Sequence, residues 1–177
     1  MAVQIGAKPD SGFDDPIGML KDCHRRIEHF LDILCLVTER AHTRSLTGEE
    51  RSAVKASLQY FHVGGERHTA DEEESLFPRL RGESAAGGLE DVNRLESDHH
   101  RAAGLHESVD WLYTTWMSVG TLEPDEQRRL LSQTRQLKQL YAEHIQVEER
   151  IVFPHALQML DSRIIAAMGQ EFRDRRG

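Results

Sequence analysis

Two stretches of the chain carry the same pattern: His68-Thr69-Ala70-Asp71-Glu72, running into Phe77-Pro78, and His144-Ile145-Gln146-Val147-Glu148, running into Phe153-Pro154. The internal spacing is identical in both. On a helix, residues four apart lie one turn apart on the same face. Each stretch therefore aims an imidazole and a carboxylate at one point in a common interior. Joined by histidines from two further helices, they describe a dinuclear metal site inside a four-helix bundle.

The flanking sequence supplies those helices. Asp14-Asp15-Pro16 is an acidic start with proline in a first turn. Ile17, Leu20, His24, Ile27, Leu31 and Leu34 then form an apolar seam with His24 in its middle, and this helix should fade by Ser45. Thr47 and Glu50 make a capping box for a second helix, whose face carries Leu58, Phe61, Gly65, His68, Glu72 and Ser75, and which Pro78 should end nearby. The segment Gly82 to Gly88 reads as a loop. A third helix shows Val92, Leu95, His99, Ala102, His106, Val109, Tyr113 and Trp116 in register until Gly120. A fourth restarts at Pro124 with Leu130, Gln133, Leu137, Leu140, His144, Val147 and Ile151, and Pro154 should perturb or end it. Asp161-Ser162 caps a short last helix from Arg163 to about Arg173, with a solvated end at Arg175-Arg176-Gly177.

The expected fold is thus all-α: an up-down-up-down four-helix bundle with a short C-terminal helix. Residues 1–13 form a flexible tail, 14–160 the bundle, and 161–177 the last helix and a polar tail. The halves are quasi-repeated: His24 and His68 are 44 residues apart, His99 and His144 are 45 apart. A pseudo-twofold would then place one metal in each half, bridged by shared ligands.

Composition narrows the function classes. The 177 residues are 38% hydrophobic and 29% charged, as in a one-domain globular helical protein. A net charge of −8 argues against nucleic acid or an anionic membrane surface. No apolar run is long enough to span a bilayer. Met1 to Phe13 is polar and unlike a signal peptide, so the cytoplasm is the expected compartment. Cys23 and Cys35 fall on one helix, roughly 18 Å apart, too far for a disulfide. They read as small buried hydrophobes.

A histidine buried on an apolar seam costs free energy unless its ring nitrogens are satisfied, and a buried carboxylate costs more. Four histidines and two glutamates converging at one depth cannot satisfy one another cheaply. Two divalent cations resolve this, because imidazoles suit iron, zinc and copper, and carboxylates can bridge a pair of ions. The candidate ligands are His24, His68, Glu72, His99, His144 and Glu148. Six donors leave two octahedra unfilled, to be completed by solvent, an oxo or hydroxo bridge, or an exogenous small molecule. His99 is preferred to His100 because it lies in the Leu95–Ala102 seam. His106, two turns on, reads as a core or supporting group. Glu28 reads as a hydrogen-bonding neighbour of His24 or an exposed residue. His62 and Glu66 point away from His68, and His29, His42 and His155 read as exposed or boundary residues. Tyr60, Phe61, Trp111, Tyr113 and Trp116 read as core, with Phe61 able to wall the metal pocket. In the Glu72-Glu73-Glu74 and Glu148-Glu149 runs only the first residue is in register, the others facing solvent.

His24, His68-x-x-x-Glu72, His99 and His144-x-x-x-Glu148, with both Phe-Pro exits, resemble the hemerythrin-like (HHE cation-binding) domain over about residues 14 to 160. The resemblance implies a non-haem di-iron centre, with the four histidines terminal and Glu72 and Glu148 bridging. Ferritin-like oxidases use Glu-x-x-His instead. Oxygen-carrying hemerythrins have a second histidine where Ala103 stands, and a more distant aspartate where this chain has Glu148. The four-histidine, two-glutamate set is similar to iron-centre repair proteins and hemerythrin-like sensors. The repair proteins carry an extra N-terminal cysteine-bearing domain, whereas a short tail precedes the first helix here.

Three functions follow as expectations. The first is a di-iron protein binding O2, NO or a related small oxidant for sensing, storage or stress protection. The second is an enzyme consuming peroxide or NO at the same centre, or an iron donor for repair. The third is a structural bundle holding zinc or no metal. A homodimer or an unidentified protein partner is compatible with each.

Overall fold

The computed structural model describes residues 10–83 and 89–177. Most of the expected N-terminal tail (residues 1–9) and most of the expected loop (residues 84–88) lie outside the described residues. Residues 10–13 lie against the body: Arg26 pairs with Asp10, and Arg173 covers the ring of Phe13 at 4.8 Å.

Helix α1 is Pro16–Ala41, with Pro16 in its first turn and the Asp15 carboxylate accepting from the Gly18 N–H. Helix α2 spans residues 48–83 and opens on the reciprocal Thr47/Glu50 capping box. Helix α3 is Leu89–Val119, ending where Gly120 takes a positive φ of 94°, a conformation open to glycine at little cost. Helix α4 spans residues 124–159, and α5 is Ser162–Asp174, capped by the Asp161 side chain. No helix among the described residues is long and apolar enough to cross a membrane.

Neighbouring helices run antiparallel. Along α1 and α4, His24 faces Glu148, Asp32 meets Lys138, and Thr38 meets Gln127. Along α2 and α3, Glu73 meets His99 and His62 meets Asp110. Asp98 approaches His144, and Ser108 meets Gln133, between α3 and α4. The result is the up-down-up-down bundle, with the short α5 laid across one end.

Among the described residues, three turns of the bundle depart from regular α geometry, one at Phe61–Gly65 and two in matching places before the Phe-Pro pairs. At Asp71–Leu76 and at Glu148–Val152 the backbone forms wide π-turns. In each, the N–H of the phenylalanine before proline (Phe77, Phe153) bonds to the carbonyl of the glutamate five residues back (Glu72, Glu148). Proline has no N–H, and in a regular helix its ring strikes the carbonyl four residues back. Widening the preceding turn relieves that clash, so the helices pass through both prolines. Pro78 therefore does not end the second helix, which continues to Glu83, and α4 continues to Met159.

The extra residue in each wide turn also shifts the helix phase. Val152 is buried in place of Ile151, which is 51% exposed against the expectation from the seam. Trp111 is likewise not core. It faces solvent beneath the Arg129 guanidinium, because Val109, Leu112, Tyr113 and Trp116 occupy the inward face of α3. Tyr113 donates to the Leu34 carbonyl and Trp116 to that of Arg44, so both buried polar tips are satisfied.

The core is divided in two. One cluster, around Leu31, Leu34, Leu112, Tyr113, Trp116 and Leu137, fills the loop end near Gly120. The other, around Leu20, Phe77, Leu95, Phe153, Met168 and Phe172, fills the end covered by α5. A single polar layer separates them. Arg175 and Arg176, expected to be solvated, instead bind the Asp71 carboxylate at 2.9 and 2.6 Å. Asp71 is buried at the start of its wide turn and requires counter-charge. Replacing both arginines with alanine is expected to destabilise the protein by about 3 kcal/mol, since a buried carboxylate is left uncompensated. Urea denaturation checks this; an unchanged midpoint would show that α5 is held without these ion pairs, by Met168, Phe172 and the Glu171–Arg79 contact.

Candidate metal centre

The polar layer consists of His24 from α1, His68 and Glu72 from α2, His99 from α3, and His144 and Glu148 from α4. All six are buried, and both glutamates are fully so, at 0% exposure. His24 Nε2 lies 3.0 Å from Glu148 Oε2 and 4.0 Å from Glu72 Oε1. His68 Nε2 is 3.2 Å from Glu72 Oε1, His99 Nε2 is 3.2 Å from Glu72 Oε2, and His144 Nε2 is 3.3 Å from Glu148 Oε2.

Despite these short separations, no oxygen of Glu72 or Glu148 accepts a hydrogen bond, and Nε2 of His24 and of His144 has no partner. The atoms lie side by side and converge on common space rather than on one another. Orphaned polar atoms at zero exposure are rare in folded proteins, and a cation is one of the few ways to satisfy several together. Their grouping is specific. Donor atoms of His24, His68, Glu72 and Glu148 lie within 4.8 Å of one another, as do those of Glu72, His99 and His144. Glu72 belongs to both groups. The donor chemistry and the orphaned atoms therefore fit a pair of divalent cations.

The protein's own groups answer the two carboxylates only by protonation. Burial alone would keep the imidazoles neutral, but the adjacent Glu148 and Glu72 push His24 up to about 11. Glu72, with Glu73, pushes His99 up to about 9 against the same burial. Burial pushes His68 down to about 4. The carboxyls, which burial would raise, are held below their usual range by these histidines and His144, Glu72 well below it.

The outer contacts are duplicated with the inner ones. His24 Nδ1 lies 2.9 Å from Glu149 Oε1, and His99 Nδ1 lies 2.7 Å from Glu73 Oε1. Such carboxylates fix ring orientation and leave Nε2 free to bind. The Phe-Pro phenylalanines cover the same two rings: Phe153 stacks on His24 with centroids 5.4 Å apart, and Phe77 on His99 at 6.1 Å. In both cases the contact crosses from one half of the chain to the other. Glu73 and Glu149 keep 34% and 40% of their surface in solvent, as expected, yet each turns one oxygen onto a histidine, which the sequence reading does not anticipate. The available signal was the second glutamate directly after each motif.

His100 is exposed and bonds the Glu96 carbonyl, whereas its neighbour His99 points inward. His106 lies outside the layer, with Nε2 3.1 Å from the Tyr141 hydroxyl. Glu28, His29 and His42 are exposed, His155 is half-buried, and His62 pairs with Asp110 rather than approaching His68. Cys23 and Cys35 are free and buried, and burial pushes both thiols up.

A bundle with a buried histidine–carboxylate layer at mid-height defines a cation-binding helical protein. The family model of the hemerythrin HHE cation-binding domain matches residues 15–156, and the chain belongs to that family. No curated protein matched the chain.

Glu149→Ala is expected to weaken metal binding about 10–100-fold by freeing the His24 ring, while Glu74→Ala, which loses only a surface contact to Arg175, leaves it unchanged. Metal titration of the two variants checks this; equal affinities would remove the orienting role of Glu149.

Proposed function

We propose that the polar layer holds two iron ions and that the protein binds O2, NO or a related small oxidant there, for sensing, storage or stress protection. His24 and His68 would hold one ion and His99 and His144 the other, with Glu72 and Glu148 as the carboxylates available to both. The observation that carries this reading is the presence of Glu72 in both donor groups, with neither of its oxygens hydrogen-bonded. A shared carboxylate is what a dinuclear centre needs and what two separate sites do not.

Iron is favoured over zinc by number. Structural zinc is satisfied by four tetrahedral ligands, whereas six side chains converge here with two carboxylates between them. Two ferrous ions with incomplete coordination would supply electrons and open positions to a small ligand. The protein contributes the rest. Glu73 and Glu149 orient the imidazoles, and Phe77 and Phe153 seal the layer from the α5 end. The apolar clusters above and below limit access to bulk water, which favours reversible binding over leakage of reactive species.

Elemental analysis of protein from iron-supplied cells is expected to give about two irons per chain. A single zinc, or no metal, would overturn the assignment. His68→Ala and His144→Ala are expected to abolish stoichiometric metal binding, while His29→Ala and His155→Ala retain it. His99→Ala is expected to lose metal and His100→Ala to keep it; the reverse result would show that the seam argument chose the wrong histidine. Steady-state consumption of H2O2 or NO by the iron-loaded protein separates reversible binding from turnover.

A further inference from the structure

A cavity of about 550 Å³ opens between α2 and α3 and reaches the polar layer at His99. Organic ligands occupy cavities of roughly 300–1,000 Å³, whereas a water-sized molecule needs only about 30 Å³. The space is therefore much larger than a diatomic ligand requires. Its floor is apolar, formed by Leu58, Phe61 and Ala102, with the exposed Ala103 at its edge. The alanines leave the room that larger side chains on the same face of α3 would fill.

The inner end is polar and holds one unused acceptor. There the Tyr141 hydroxyl lies 3.1 Å from His106 Nε2. Burial pushes His106 down to about 4, so the ring is neutral and its Nε2 accepts the tyrosine proton when the ring proton sits on Nδ1. Tyr141 Oη then has lone pairs to offer and no other polar partner among the described residues. The Phe61 ring packs on His106 at 4.6 Å and fixes the pair.

The mouth selects by charge. Glu66, Glu74, Glu107 and Asp110 line it, so an anion meets like charge. Glu73, the carboxylate at the inner end, is already engaged by His99 Nδ1 at 2.7 Å, so a cation drawn to the rim would shed water over the apolar floor without a free counter-charge. We infer that this cavity is a binding site for an uncharged organic molecule about the size of one aromatic ring, with a hydroxyl-type donor directed at Tyr141 and its apolar body on Phe61 and the two alanines. Through His99 such a molecule lies beside the proposed metal layer and restricts access to it from this side.

Three probes of one shape and different charge test the inference: benzyl alcohol, benzoate and benzylamine. Each is titrated into isotope-labelled protein, with diamagnetic zinc present, and followed by backbone NMR shifts. Benzyl alcohol is expected to bind saturably, moving resonances of Phe61, Ala103 and Tyr141, and to bind at least about tenfold tighter than either charged probe. Tyr141→Phe is expected to weaken it about tenfold, as loss of one buried hydrogen bond implies. Ala103→Leu and Ala103→Trp fill the space from an exposed helix position and are expected to abolish binding, with circular dichroism unchanged. Absence of saturable binding, shifts confined to other residues, equal or tighter binding of a charged probe, or binding that survives both Ala103 substitutions would each overturn the inference. These shifts are read independently of iron content, so failure here is distinguishable from failure of the metal assignment.

Discussion

Glu72 and Glu148 place two carboxylates at mid-height of the bundle, at 0% exposure and without a hydrogen bond to either. Removing such a group from water costs several kcal/mol even after the protein relaxes. The surrounding structure is organised around that charge. Four imidazoles face it, one from each long helix, and two further carboxylates orient the rings of His24 and His99 from outside. The two apolar clusters exclude water from both ends of the layer, which strengthens the electrostatic interactions at its fully buried glutamates. Cation binding follows from this arrangement more directly than from any single residue.

The wide turns connect backbone to chemistry. Each begins at or beside a central glutamate and ends at the Phe-Pro pair, so a proline that would break an ordinary helix marks a turn already widened. The same geometry brings Phe77 over His99 and Phe153 over His24, each across the pseudo-twofold. One short motif thus supplies an inner carboxylate, an orienting carboxylate and a ring cover to the opposite half. Duplication is needed because neither half can complete its own layer. The cation-binding family to which the chain belongs is consistent with this division of labour.

Access to the layer is uneven. The end covered by α5 is closed by Phe77, Phe153 and Phe172, and α5 is tied down through Asp71 with its two arginines and through Glu171 with Arg79. The flank between α2 and α3 is open, because small residues line α3 beside His99. Of the six residues of the layer, only His99 lines that opening.

Much of this was legible from residue order. Helical periodicity placed His24, His68, His99 and His144 on inward seams, and the duplicated spacing put each glutamate beside its histidine. Capping residues at Asp15, Thr47 and Asp161 gave three helix starts because those interactions are local. What failed was the inference that extended a regular period through an irregular turn, as with Ile151, while the helix expected to end near Pro78 runs on to Glu83. Others failed because their partners are distant in sequence. Glu73 and Glu149 do keep a face in solvent, but their contacts to His99 and His24 come from the other half of the chain, and Arg175 and Arg176 look like a polar tail until Asp71 is buried beneath them. Local spacing thus determined which side chains could share a face. Only tertiary packing decided which buried charges they would meet, because the cost of an unpaired charge depends on every helix that excludes water from it.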